Sequence, residues 1–159
     1  MDRSRTRGAR CPTLFLRCVD STHMERSIST SGPVDVVDVT ADVEDAVPGH
    51  LDAGTCTVFV PHTTAGVVVN EAEGRLLDDV ERALESWVPS TGDYRHDEID
   101  DNAAAHLRSI LLGESVTVPV EDGSLALGTW QSVLLVEGDG PRTRRFRIVV
   151  SEALDRPSG

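Results

Sequence analysis

Ser115 to Glu137 reads SVTVPVEDGSLALGTWQSVLLVE. Two runs rich in Val, Thr and Leu, Ser115 to Glu121 and Leu125 to Glu137, flank the dipeptide Asp122-Gly123. An Asp-Gly pair in that setting is a strong hairpin signal, because both residues tolerate the positive φ of a tight two-residue turn. The stretch therefore predicts two strands joined directly, without a helical crossover. Gly128 interrupts the second run and suggests a bulge or a close backbone approach.

Other elements extend outward from this hairpin. Arg144 to Ser151 reads as a last strand, and Val34 to Thr40, Thr55 to Val60 and Val67 to Asn70 as earlier ones. Ala65-Gly66 permits a bend or bulge just ahead of Val67. Thr40 is placed to cap a short helix through Asp45 that ends at Pro48-Gly49. Gly74 to Trp87 is amphipathic, with Leu76, Leu77, Val80, Leu84 and Trp87 in one stripe, and Pro89 stops it. Ser90 to Asp100 is a polar loop. Asp101 to Leu112 forms a second helix, with Asp100 or Asp101 as N-cap and Gly113 closing it. Strands dominate and no regular βαβ alternation is present. The fold class is α+β: a compact β-rich core of mostly antiparallel strands flanked by two main helices.

The 159 residues amount to one domain with a proper core. All 15 basic residues are Arg, against 27 acidic ones, for a net charge of −12. Residues 1–23 are basic, with five Arg and two Asp, so residues 24–159 carry −15. Such a surface repels nucleic acid and anionic membrane and suits a halophile's cytoplasm or an Arg-favouring genome. The basic leader reads as a disordered extension or a non-native start, with residues 24–159 as the single domain. Cys11, Cys18 and Cys56 are odd in number and lack CxxC spacing, which points to reducing cytoplasm rather than a disulfide framework or zinc ribbon. No apolar run approaches the roughly 20 residues of a membrane span.

The chemistry concentrates in a few stretches. Pro61-His62-Thr63-Thr64-Ala65 ends a strand, and Asn70-Glu71 follows the next. His62 at a rigid strand end suits a cleft, and Thr63 and Thr64 offer hydroxyls and backbone donors; the bland alternative is a half-buried structural His. Glu71 reads equally as a general base or as a helix-start acid. His106 lies on the second helix, on a face with Ala103, Leu107, Ile110 and Leu111, and Asn102 is one turn earlier on the same side. His96 sits in the acidic loop that leads to Asp100 and Asp101. Together the three imidazoles suit Zn²⁺ or another divalent ion, although their spacing matches no tight metal motif. Gln131, beside Trp130, can line a pocket. Arg142, Arg144, Arg145 and Arg147 form a basic cluster, either an anion site or charges on an edge strand paired with local acids.

Taken in order, PHTTA…NE, P…Y-x-H, DDNAAAH-L, LLG-x-S-x-T-x-P-V, DG-x-L-x-LGTWQ and E-x-DG-P-R closely resemble the YjbQ family, from about Ile28 to Ser151. One departure is Gly138, where the family usually has a larger residue. The resemblance implies a homotrimer and a secondary thiamine-phosphate synthase activity, joining a pyrimidine methyl diphosphate to a thiazole phosphate. It implies His62, His96 and His106 as ligands of a divalent metal of the Zn or Mg class. It also implies His62, Glu71, Asp101 and Arg142 as catalytic residues. Thr63, Thr64, Asn70, Asn102, Thr129, Trp130 and Gln131 would line the site of a small phosphorylated metabolite. A metal- or phosphometabolite-binding trimer without turnover and a metal-dependent hydrolase are the alternative functions.

Overall fold

The computed structural model describes residues 21–153. Eight strands and three α-helices follow one another: β1 Ser21–Ser29, β2 Asp35–Asp38, α1 Thr40–Glu44, β3 Ala53–Phe59, β4 Ala65–Asn70, α2 Gly74–Trp87, α3 Ala103–Leu112, β5 Ser115–Glu121, β6 Ser124–Leu125, β7 Ser132–Glu137 and β8 Thr143–Glu152. A single 3-10 turn, Arg95–Glu98, lies in the polar loop. One sheet has the order β1-β8-β3-β5-β6 and the other β2-β7-β4. Every pairing is antiparallel. The α+β expectation holds.

The Asp-Gly hairpin forms as read. Val120 pairs with Leu125 and Glu121 with Ser124, leaving Asp122 and Gly123 as the turn, both at positive φ. The run after it does not stay one strand. It breaks after Leu125, crosses at Gly128 to Gln131, and re-enters the other sheet as β7 between β2 and β4. As the middle strand, β7 is buried on both faces, which explains its unbroken apolar run. Val133 and Leu135 join Cys56, Val58, Phe146, Ile148 and Val150 between the sheets. Leu134 and Val136 pack with Val36 and Leu84 of α2 on the opposite face.

Several local expectations are corrected. β4 starts at Ala65, not Val67, and runs without a bulge. Gly66 is small for another reason: a Cβ there would lie 2.7 Å from the Gly113 carbonyl oxygen, where α3 ends against the strand. Thr40 caps nothing; its hydroxyl donates to Asp38 and accepts the Val133 N–H. Trp87, expected in the inward stripe of α2, is 70% exposed. α3 is rotated from its expected face. Leu107, Ile110 and Leu111 are exposed, while Ala103, Ala104, Ala105 and Arg108 are buried. Most of the basic leader lies outside the described residues, but Ser21 to His23 open β1, paired with Val149 to Ser151.

Candidate functional site

β3 ends at Phe59, and Val60 is tied to the Glu114 carbonyl, so Pro61 to Thr64 turn the chain between the two sheets. This corner meets α3. The Ser109 hydroxyl donates to the Ala65 carbonyl, and the Val67 N–H donates to Gly113. Between corner and helix lies a cleft of about 460 Å³. His62, Thr63, His106, Ser109 and Glu114 give it polar groups, and Phe59 and Ile110 give it apolar walls. Of the expected residues, His62, Thr63 and His106 are therefore brought together.

His62 is half-buried, and its Nε2 accepts the Arg145 N–H at 3.1 Å. A nitrogen that accepts a hydrogen bond carries no proton, so the neutral ring keeps its proton on Nδ1. Burial and the Arg144 guanidinium push the His62 pKa below the ordinary histidine range, with the Arg145 backbone and then Glu137 pulling the other way. The Thr63 and Thr64 N–H groups bond to none of the described residues.

Beneath the corner sits an ion pair that the sequence reading missed. Glu137 is fully buried and Arg144 nearly so. Arg144 grips Glu137 through Nε and Nη2, each at 2.6 Å, and Nη2 also donates to the Thr64 hydroxyl at 2.8 Å. Oε1 of Glu137 takes the Gly138 and Asp139 N–H groups. Burial pushes the Glu137 carboxyl up, but the Arg144 fork and these two amides outweigh it, so its pKa lies below the usual carboxylate range. Alternation carried the signal: Glu137 shares a strand face with Val133 and Leu135, and Arg144 one with Phe146 and Ile148.

The remaining arginines do not form a free anion cluster. Arg142 is held by the carbonyl and carboxylate of Asp139, and Arg145 and Arg147 lie near Glu25. Asp101 and Asn102 line a separate recess of about 140 Å³ beside Arg108 and Asp139, where the Asn102 Oδ1 has no hydrogen-bond partner among the described residues. Thr64 is buried and its hydroxyl engaged by Arg144. Asn70, Glu71, Thr129, Trp130 and Gln131 lie elsewhere again. Ala65 pairs with Glu137 but Asn70 with Ser132, so those residues occupy the far end of the β4–β7 ladder. Five strand positions separate the ends by about 17 Å. One copy of the chain cannot close both groups around a small ligand.

The three histidines do not assemble as a metal site. The His96 and His106 rings lie edge to face, 5.1 Å between centroids, a separation at which two imidazoles can share an ion. Among the described residues, however, no three His, Cys, Asp or Glu side chains converge to hold one. His62 does not fit as a ligand, since its Nε2 is taken. A metal on Nδ1 would force the proton onto Nε2, against the Arg145 donor.

A family model described as UPF0047 protein YjbQ-like matches residues 24–153. The chain belongs to the YjbQ family. A UPF0047 protein of Archaeoglobus fulgidus is 49% identical over 122 residues, covering 77% of this chain and 95% of that protein. The UPF0047 protein YugU of Bacillus subtilis is 38% identical over 120 residues, covering 74% and 89%. Among solved structures, a YbjQ-like protein of unknown function from Sulfolobus solfataricus superposes with a TM-score of 0.79 at 34% identity, covering 85% of this chain and 99% of that one. A hypothetical protein from Aeropyrum pernix superposes equally well, with a TM-score of 0.79 at 38% identity, covering 83% and 99%.

These matches overturn the thiamine-phosphate synthase expectation. The YjbQ relatives carry a family name without an activity, and the Sulfolobus structure is described as of unknown function. The geometry agrees: Arg142, expected on a departing diphosphate, is occupied by Asp139, and the lining residues are split between two ends of a sheet. No helix of the described residues is long and apolar enough to cross a membrane.

Proposed function

We propose that the chain binds a small phosphorylated metabolite in the cleft between the His62 corner and α3, as a homotrimer in the cytoplasm. The carrying observation is the donor set at the corner. A His62 ring with its proton on Nδ1 lines the cleft with Thr63, the Thr63 and Thr64 N–H groups bond to none of the described residues, and the Arg144 charge lies just beneath them. Phosphate oxygens are pure acceptors, and consecutive backbone amides in a turn suit them well. The apolar wall from Phe59 and Ile110 suits the organic part of such a ligand.

The assembly is supported by what a single copy leaves uncovered. Leu107, Ile110 and Leu111 form an exposed stripe on α3 at the cleft, and Trp130 at the far ladder end is 72% exposed. A closed ring covers such a stripe and can carry the Trp130 end of one copy to the cleft of the next. A reducing, cytoplasmic setting is compatible with Cys56, a buried thiol with no disulfide partner among the described residues, whose pKa burial and then Glu44 push up to about 11.

Thermal shift with phosphorylated metabolites and their dephosphorylated counterparts tests the reading. Only the phosphorylated members should raise Tm, and His62→Gln should abolish the rise. Equal shifts from both members of each pair would refute phosphate recognition.

A further inference from the structure

The buried Arg144–Glu137 pair has no evident stability rationale. It lies at the end of an apolar inter-sheet core, with Glu137 at 0% and Arg144 at 6% exposure. Replacing such a pair with apolar residues of similar size is often neutral or stabilising. Its contacts, in contrast, tie three loops together, one of them the corner that borders the cleft. Glu137 fixes the turn after β7 through the Gly138 and Asp139 amides. The Thr30 hydroxyl, which takes the Arg142 N–H, lies 3.3 Å from Glu137, so the loop after β1 is tied in as well. Arg144 reaches Thr64, and the next residue along β8, Arg145, holds His62 through its backbone N–H. Gly138 keeps the joint tight: a Cβ there would lie 2.9 Å from the Thr64 carbonyl oxygen and 3.3 Å from the Ala105 Cα of α3.

We infer that Arg144, clamped by Glu137, is a positioning residue that sets the Thr63–Thr64 turn and the orientation of the His62 ring for an anionic ligand. The inference rests on the phosphate-binding reading of the cleft. The pair touches no ligand itself; it fixes the groups that do. The link from Arg144 to the turn runs through the Thr64 hydroxyl, and the turn in its place brings the His62 ring to the Arg145 N–H, so one side chain makes the link separable from the fold.

The test uses the full chain and inorganic phosphate as probe. Glu137→Leu/Arg144→Met removes both charges together, Thr64→Val cuts only the link, and Thr64→Ser keeps it. Phosphate affinity is measured by calorimetry, and the His62 ring nitrogens are followed by ¹⁵N NMR without ligand. The double variant and Thr64→Val should each bind phosphate about tenfold more weakly, the worth of one lost hydrogen bond. Both should lose the single Nδ1–H signature of His62, and Thr64→Ser should retain affinity and signature. If the double variant does not fold, the two Thr64 variants decide the matter alone. Wild-type affinity and an unchanged His62 signature in Thr64→Val would overturn the inference, since a purely structural pair would leave both untouched. Failure of the wild type to bind phosphate, with its His62 signature intact and lost in Thr64→Val, would remove the binding reading and leave the positioning link standing.

Discussion

Arg144→Met is the perturbation with the largest expected cost. It removes the fork that neutralises Glu137 and leaves that carboxylate fully buried, with only two backbone amides and a distant Thr30 hydroxyl. Stranding a buried charge in this way costs about 3–5 kcal/mol. At about 2–4 °C per kcal/mol for a chain of this length, Tm should fall about 6–20 °C at pH 7. Glu137→Leu/Arg144→Met should instead lie within about 2 kcal/mol of wild type, because no charge is stranded. The pH dependence gives a second check. In the wild type the Glu137 pKa is lowered, so its contribution is complete above the unfolded value of about 4.3 and is lost as pH falls through the folded value. In Arg144→Met only burial and the weaker contacts remain, so the pKa rises above the unfolded value and the variant recovers stability as pH falls through it. Urea denaturation from pH 8 to pH 5 follows the recovery of Arg144→Met, and its extension below about pH 4.3 follows the wild-type loss. Equal losses in the single and double variants, or a deficit in Arg144→Met that does not shrink toward pH 5, would refute the reasoning.

Three further outcomes are expected. Arg108 is 1% exposed and donates to the Val88 carbonyl, the Ser90 hydroxyl and Glu85, so Arg108→Met should cost about 2–4 kcal/mol in urea denaturation by leaving those groups unpaired. Gly66→Ala places a Cβ 2.7 Å from both the Gly113 oxygen and the Leu112 Cβ, and should cost about 1–3 kcal/mol as α3 is pushed off β4. Ile110→Asp with Leu111→Asp charges the exposed stripe of α3 and should give a monomer by light scattering without loss of helical circular dichroism; an unchanged mass would remove this face from the assembly.

The elements governed by local rules were legible in the sequence. Asp122-Gly123 fixed its hairpin because positive φ is a property of the residues themselves. Gly74 to Trp87 was bounded correctly by periodicity and Pro89, and its cap is Glu73, whose carboxylate takes the Leu76 N–H. The rotation of α3 was not legible. Its apolar residues suggested one face, but Gly138 lets Ala105 seat close against the turn after β7, Gly66 does the same for the Leu112–Gly113 end, and Arg108 is buried only because groups 18 to 23 residues upstream satisfy it. His62 with His106 was found from residue type and strand-end position. The Arg144–Glu137 pair was readable only in part: Arg144 falls in step with Phe146 and Ile148, but Glu137 closes an unbroken apolar run, and nothing local shows that the two residues meet. Trp130 and Gln131 were grouped with His62 through the family resemblance, whereas the β4–β7 ladder places them at its opposite end.

The most direct test of the account is an NMR titration of the full-length protein with inorganic phosphate, following the His62 ring and the Thr63 and Thr64 amides. The account predicts that these three respond together and saturate with one constant, with His106 next. Saturable phosphate binding that leaves His62, Thr63 and Thr64 unmoved would contradict it.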